Sequence, residues 1–143
     1  MPMSHRTRGR VTAVHGATVV FQPTNSTYQL HLAAVGGRYD GPIDVPVDAV
    51  LRATARKVYT VPSGGLFVTP IIGPPRIVQG RVTDVAKTEL AVQAVVTVNV
   101  TLSDAAGAIE LANGAIADGS MVNVVLLPGM TFEQAIHEPA LAK

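Results

Sequence analysis

Cysteine and tryptophan are both absent from this 143-residue chain, and its aromatic residues are three Tyr and three Phe, 4% of the sequence. The first absence excludes disulfides, thiolate metal sites and a cysteine nucleophile. The second, in a chain that is 48% hydrophobic, leaves Val, Ile, Leu and Ala to build the interior, a composition that suits closely packed small β units. Long apolar runs are lacking too, so no segment reads as a membrane span. The first ten residues are polar and basic without an apolar signal-like stretch, and the expectation is a soluble cytoplasmic protein with no membrane partner.

Catalytic signatures are equally scarce. His5, His15, His31 and His137 stand far apart without metal-ligand spacing, and no nucleophile elbow, phosphate loop or dinucleotide fingerprint occurs. The Gly36-Gly37 and Gly64-Gly65 doublets read as turns. Asp44 and Asp48 share a face of an extended segment, but with Arg52 nearby they read as surface ion-pair partners rather than an acid/base couple. The sequence thus predicts no enzyme, no catalytic residue, no metal site and no cofactor.

What the chain does contain is a copy of itself. Gly9-Arg10-Val11-Thr12-Ala13-Val14 returns as Gly80-Arg81-Val82-Thr83-Asp84-Val85, and similar alternating stretches follow each copy. With one residue of slack, residues 9–32 align with 80–102. A repeat of this length sets architecture before it sets chemistry. The expectation is an all-β protein of two tandem small β-barrel repeats of OB or SH3-like type, related by pseudo-twofold symmetry. The first repeat spans residues 1–61 and the second 80–143, and residues 62–79 connect them. Residues 27–32 and 96–102 alternate strictly, so each third strand should have one core face, with Tyr28, Leu30 and Leu32 inward in the first, and one wet face carrying His31. Asp118-Gly119 signals a turn before a strand over 121–127, and residues 36–42 and 105–107 read as loops. The partner of that last strand stays open, since aligning Asp40-Gly41 with Asp118-Gly119, or Pro62 with Pro128, gives acceptable matches. Thr131-Phe132-Glu133-Gln134 resembles a capping box, which predicts at most one short helix, over residues 131–137.

The connection is too rich in Pro and Gly for a helix, yet Leu66, Phe67, Val68, Ile71, Ile72, Ile77 and Val78 are too apolar for a solvated linker. It is expected to be ordered and largely buried across both copies. The alternative is an oligomer interface made by Leu66, Phe67, Val68, Ile71 and Ile72.

The net charge of +1 conceals a division. Residues 1–61 hold seven Lys and Arg against three Asp, and residues 80–143 hold three against seven. The densest basic cluster is Arg52-Ala53-Thr54-Ala55-Arg56-Lys57. On a strand, Arg52, Thr54 and Arg56 would share a face, with Lys57 and Tyr59 opposite. Arg10, Arg52, Arg56 and Lys57 are therefore the candidate anion-binding or partner-binding residues, with Tyr59 or Tyr39 as a stacking plane for a base.

The order Gly-x-Val-Thr-x-Val, a short hairpin, an Asp-Gly turn and Val-x-Val-x-Leu resembles one half of an OB-type barrel. It is similar in particular to the TOBE and molybdenum-pterin-binding-like domains, over residues 9–59 and 80–132. That resemblance implies tandem barrels and the binding of small oxyanions such as molybdate. The positions matching the family's anion-site motifs read Ser4-His5-Arg6-Thr7 and Arg52-Ala53-Thr54 in the first copy and Leu127-Pro128-Gly129 in the second, and so depart from those motifs. Taken together, the expected function is a non-catalytic structural or assembly protein that forms a homo-oligomer through strand edges and the apolar connection. The alternative is a module that binds nucleic acid or a small oxyanion on the basic first repeat.

Overall fold

β-branched residues at alternating positions favour strands, and the computed structural model, which describes residues 3–62, 64–86, 88–102 and 116–135, is all-β. Among these residues are eleven strands. In chain order they are β1 (Arg6–His15), β2 (Thr18–Pro23), β3 (Gln29–Ala34), β4 (Val47–Thr60), β5 (Phe67–Thr69), β6 (Ile72–Gly73), β7 (Ile77–Val85), β8 (Glu89–Gln93), β9 (Thr97–Leu102), β10 (Met121–Leu126) and β11 (Thr131–Gln134). A single 3-10 turn covers Val35–Gly37, so the Gly36-Gly37 doublet is a turn. No described helix is long and apolar enough to cross a membrane.

The strands join into one hydrogen-bonded sheet whose pairings return on themselves twice. One circuit runs β1, β2, β3, β11, β4 and back to β1, with the β3–β11 step parallel and the others antiparallel. The other runs β7, β8, β9, β4, β10 and back to β7, with the β9–β4 step parallel. β4 belongs to both: Val47 to Val50 pair with β1, and its continuation from Arg52 onward pairs with β9 and β10. In return β11 crosses from the second repeat to pair with β3 and β4 in the first circuit.

Register explains the repeated motif residue by residue. Arg10 pairs with Gln22 as Arg81 pairs with Gln93, and a bulge follows Val11 in one copy and Val82 in the other. The extra residues are Thr12 and Thr83, whose hydroxyls donate across the bulge to the Val20 and Ala91 carbonyls at 3.4 and 3.5 Å. A Cβ at Gly9 would collide with the Gln22 carbonyl and the Phe21 ring, and one at Gly80 with the Gln93 carbonyl. The motif is therefore a close strand approach followed by a bulge.

The same register corrects the alignment of the third strands. Leu30 lies opposite Phe21, and Val98 lies opposite the equivalent Val92, so Leu30 corresponds to Val98 and Leu32 to Val100. The loop before β9 is simply shorter. For the fourth strands Gly9 faces Val47 and Gly80 faces Val122, a match that neither alignment considered from sequence makes.

Phe21, Leu30, Leu32, Leu51 and Phe132 are buried in a single apolar cluster with Val82, Leu90, Val92, Val98 and Val124. Phe132 stands 5.4 Å from Phe21 and edge-on to Tyr39 at 5.5 Å between ring centroids. This corrects the capping-box reading: Thr131–Gln134 is a strand, because Phe132 must enter the core while its neighbours complete the first circuit. Residues 136–137 and 105–107 lie outside the described residues. A second correction concerns β9, whose outer face is not wet throughout. Asn99 is buried, accepting from the His5 N–H and donating to the carbonyls of His5 and Leu51, each at 3.0 Å.

The connection does bridge both halves, β5 pairing with β7 and β6 with β3. It is not largely buried, however. Val68 and Val78 enter the core, but Leu66, Ile71 and Ile72 are 48%, 54% and 62% exposed.

Gly9→Ala and Gly80→Ala should each destabilise the protein by about 1–3 kcal/mol, the range for overfilling a packed site. Urea unfolding midpoints measure this. A midpoint unchanged in both variants would show that the strands do not approach as closely as described.

Candidate functional site

A basic residue is available to an anion only where no carboxylate or carbonyl already holds it, and on that test the four candidates separate. Arg52 is engaged: its guanidinium donates to the Met3 carbonyl and to Ser4 Oγ, the latter at 2.9 Å, clamping the N-terminal segment. Thr7 and Thr97 fasten the same segment, with the Thr97 N–H 2.7 Å from Thr7 Oγ1. Arg10 is exposed at a separate groove of about 750 Å³, lined also by residues 22–28. Only Arg56 and Lys57 remain neighbours, and not on the faces that strict alternation predicts. Val125 pairs with Lys57 and Leu126 with Ala55, so Arg56 is the extra residue of a bulge and both cations project to solvent. Lys57 Nζ sits 5.6 Å above the Tyr59 ring, a cation–π contact.

Carboxylates neutralise part of the basic surplus of the first repeat. Arg8 and Asp48 pair at 3.0 Å, as do Arg38 and Asp40 at 2.9 Å. His5 Nε2 lies 2.8 Å from Asp84 Oδ2, which ties the N-terminal segment to the second copy. Arg8 and Asp48 are directly opposed across β1 and β4, and the equivalent pair across β7 and β10 is Gln79 and Asn123. There the Asn123 amide donates to Gln79 Oε1 at 3.1 Å and Gln79 Nε2 donates to the Gly65 carbonyl at 3.0 Å. An ion pair in one copy is thus a covered amide pair in the other.

The sequence reading missed Arg76. With Arg56 it lines a groove of about 760 Å³ where the connection meets β4 and the turn after β10. Its position inside a Pro-rich connection carried no signal of that neighbour. Among the proposed interface residues, Val68 is 1% exposed and faces inward, Phe67 is half-buried, and Leu66, Ile71 and Ile72 face outward. Of the two tyrosines offered as a stacking plane, Tyr59 is exposed with Lys57 over its ring, and Tyr39 packs edge-on against Phe132. Among the described residues no three His, Asp or Glu side chains converge as metal ligands. Compared with known proteins, the sequence matches no family model and no curated protein.

Among the described residues, Tyr39 is a titratable group shifted by its surroundings. Its hydroxyl donates to the Pro42 carbonyl at 2.7 Å, and burial raises its pKa above the ordinary 10.0. The folded state therefore favours the neutral phenol. That contribution is fully present below the unfolded value and is lost as pH rises through the folded one. Tyr39→Phe should cost about 0.5–1.5 kcal/mol at neutral pH by removing the hydrogen bond, yet above pH 10 it should lose stability less steeply than the parent. Thermal melts across the alkaline range test this, and parallel pH profiles for the two proteins would contradict it.

Proposed function

We propose that the protein is a non-catalytic assembly component, built from two small barrels that exchange strands and self-associating through the connection. Residues 1–61 and 80–143 are the two repeats of OB or SH3-like type, each closed by a strand from the other, and residues 62–79 are the ordered element between them. The two closed circuits of pairing support this reading.

The observation that carries self-association is where unpaired edge remains. Closing a sheet removes its edges. Among the described residues β5 and β6 have one partner strand each, and the exposed Leu66, Ile71 and Ile72 flank or belong to them. Unpaired backbone groups beside exposed aliphatic side chains favour the addition of another strand. A second copy offers the same edge and the same side chains, so a two-fold contact satisfies both at once. The uneven charge of the two repeats adds long-range attraction between copies, which salt would screen.

Native mass spectrometry of the parent at micromolar concentration should give a multiple of the chain mass. Ile71→Asp combined with Ile72→Asp should give monomer with an unchanged circular dichroism spectrum, since both side chains are exposed. A monomeric parent would end the proposal, and an intact oligomer in the double variant would move the interface away from the connection.

A further inference from the structure

We infer that the groove between Arg56 and Arg76 is a binding site for an aliphatic phosphate monoester. Arg56 reaches it as the extra residue of the β4 bulge. Arg76 stands at the base of the β5–β7 hairpin, its N–H donating to the Thr69 carbonyl and its own carbonyl accepting from Leu126, at 2.8 and 2.9 Å. Thr69 and the prolines Pro70, Pro74 and Pro128 line it, together with Ile77 of β7 and Val125 and Leu126 of β10. Proline walls have few conformations to lose, so little ordering opposes binding.

Charge selects the ligand. Two arginines and no acidic residue line the groove, and neither arginine is within ion-pair distance of an acid among the described residues. A phosphate monoester carries about −1.5 to −2 at pH 7, which balances two cations, whereas one carboxylate balances half of them. Guanidinium forks also match phosphate oxygens in paired hydrogen bonds. The remainder of the ligand meets prolines and aliphatic side chains. With no aromatic ring in the lining, nothing stacks on a base, which disfavours nucleotides and single-stranded nucleic acid. The volume of about 760 Å³ exceeds what inorganic phosphate needs and lies within the range of small-molecule pockets. The site uses none of residues 4–7 or 52–54, where the oxyanion-binding resemblance falls, and it does not depend on self-association.

The test is titration with butyl phosphate at constant ionic strength, followed through the side-chain Nε–H resonances of the two arginines. Saturable shifts of both are expected, and Arg56→Gln and Arg76→Gln should each raise Kd about tenfold or more, as loss of a charged hydrogen-bond donor does. Melting temperature and native mass should match the parent, which separates a lost site from a lost fold or a lost oligomer. Retention on vesicles containing phosphatidic acid, abolished by the same variants, would assign the phosphate to a lipid. Butyl phosphate binding without retention would assign it to a soluble ester. Absence of both, binding that survives both substitutions, or tighter binding of glutarate than of butyl phosphate would overturn the inference.

Discussion

The strand Val47–Thr60 is hydrogen-bonded on its first half to β1 and β11 and on its second half to β9 and β10. Neither circuit closes without it. A strand shared in this way transmits disruption from one repeat to the other, since shifting its register by one residue would turn Leu51, Ala53 and Ala55 out of the core. The exchange of β11 in the opposite direction completes the coupling, with Phe132 carried by the second repeat into the aromatic cluster of the first. The two repeats are therefore expected to unfold together. Their closing contacts join residues distant in sequence, so the loop-closure entropy must be lost before those contacts can form.

Within that frame the duplicated motif records a local requirement rather than a binding signature. Gly9 and Gly80 stand where a neighbouring strand leaves no space for a Cβ, and Thr12 and Thr83 occupy matching bulges. A bulge increases local twist and bends the strand, which tight closure of a small sheet needs. The same constraint met twice accounts for the same residues appearing twice.

The strands were legible in sequence wherever large apolar residues alternate with polar or smaller ones on the other face, as over Leu30 and Leu32. They were less legible where a second layer covers the outer face. Asn99 reads as exposed in an alternating pattern, but its amide satisfies backbone groups of His5 and Leu51, and no local pattern reveals partners so distant. Thr131–Gln134 fits a helix start by residue type, yet tertiary pairing outweighs a local propensity worth about 1 kcal/mol. The basic cluster was visible as charge alone. A bulge at Arg56 and a clamp at Arg52 are consequences of pairing and of the N-terminal path, so sequence could not separate the cation that is held from the one that is free. Arg76 was hidden for the same reason, its neighbour being set by a hairpin and a bulge that meet only in the folded chain.

Duplication also supplies an internal control, because the two copies meet nearly the same backbone constraints and their differences stand out. Where β1 faces β4, Arg8 and Asp48 form a partly exposed ion pair, worth at most about 1 kcal/mol. Where β7 faces β10, the equivalent Gln79 and Asn123 lie under the Gly64-Gly65 segment. A charged pair covered in that way would lose hydration that its own attraction need not restore, whereas the neutral amides bond to each other and to the Gly65 carbonyl and leave only Asn123 Oδ1 buried without a partner. The change from charge to amide therefore follows the path of the connection. Arg56 is a difference of another kind: β11 pairs with β4 without an interruption while β4 carries a bulge against β10. Burial does not require that extra residue, and it projects a cation into a groove already bounded by the connection. Core constraints account for what the two copies share, and the path of residues 62–79 accounts for where they part, at the Gln79–Asn123 pair and beside Arg56.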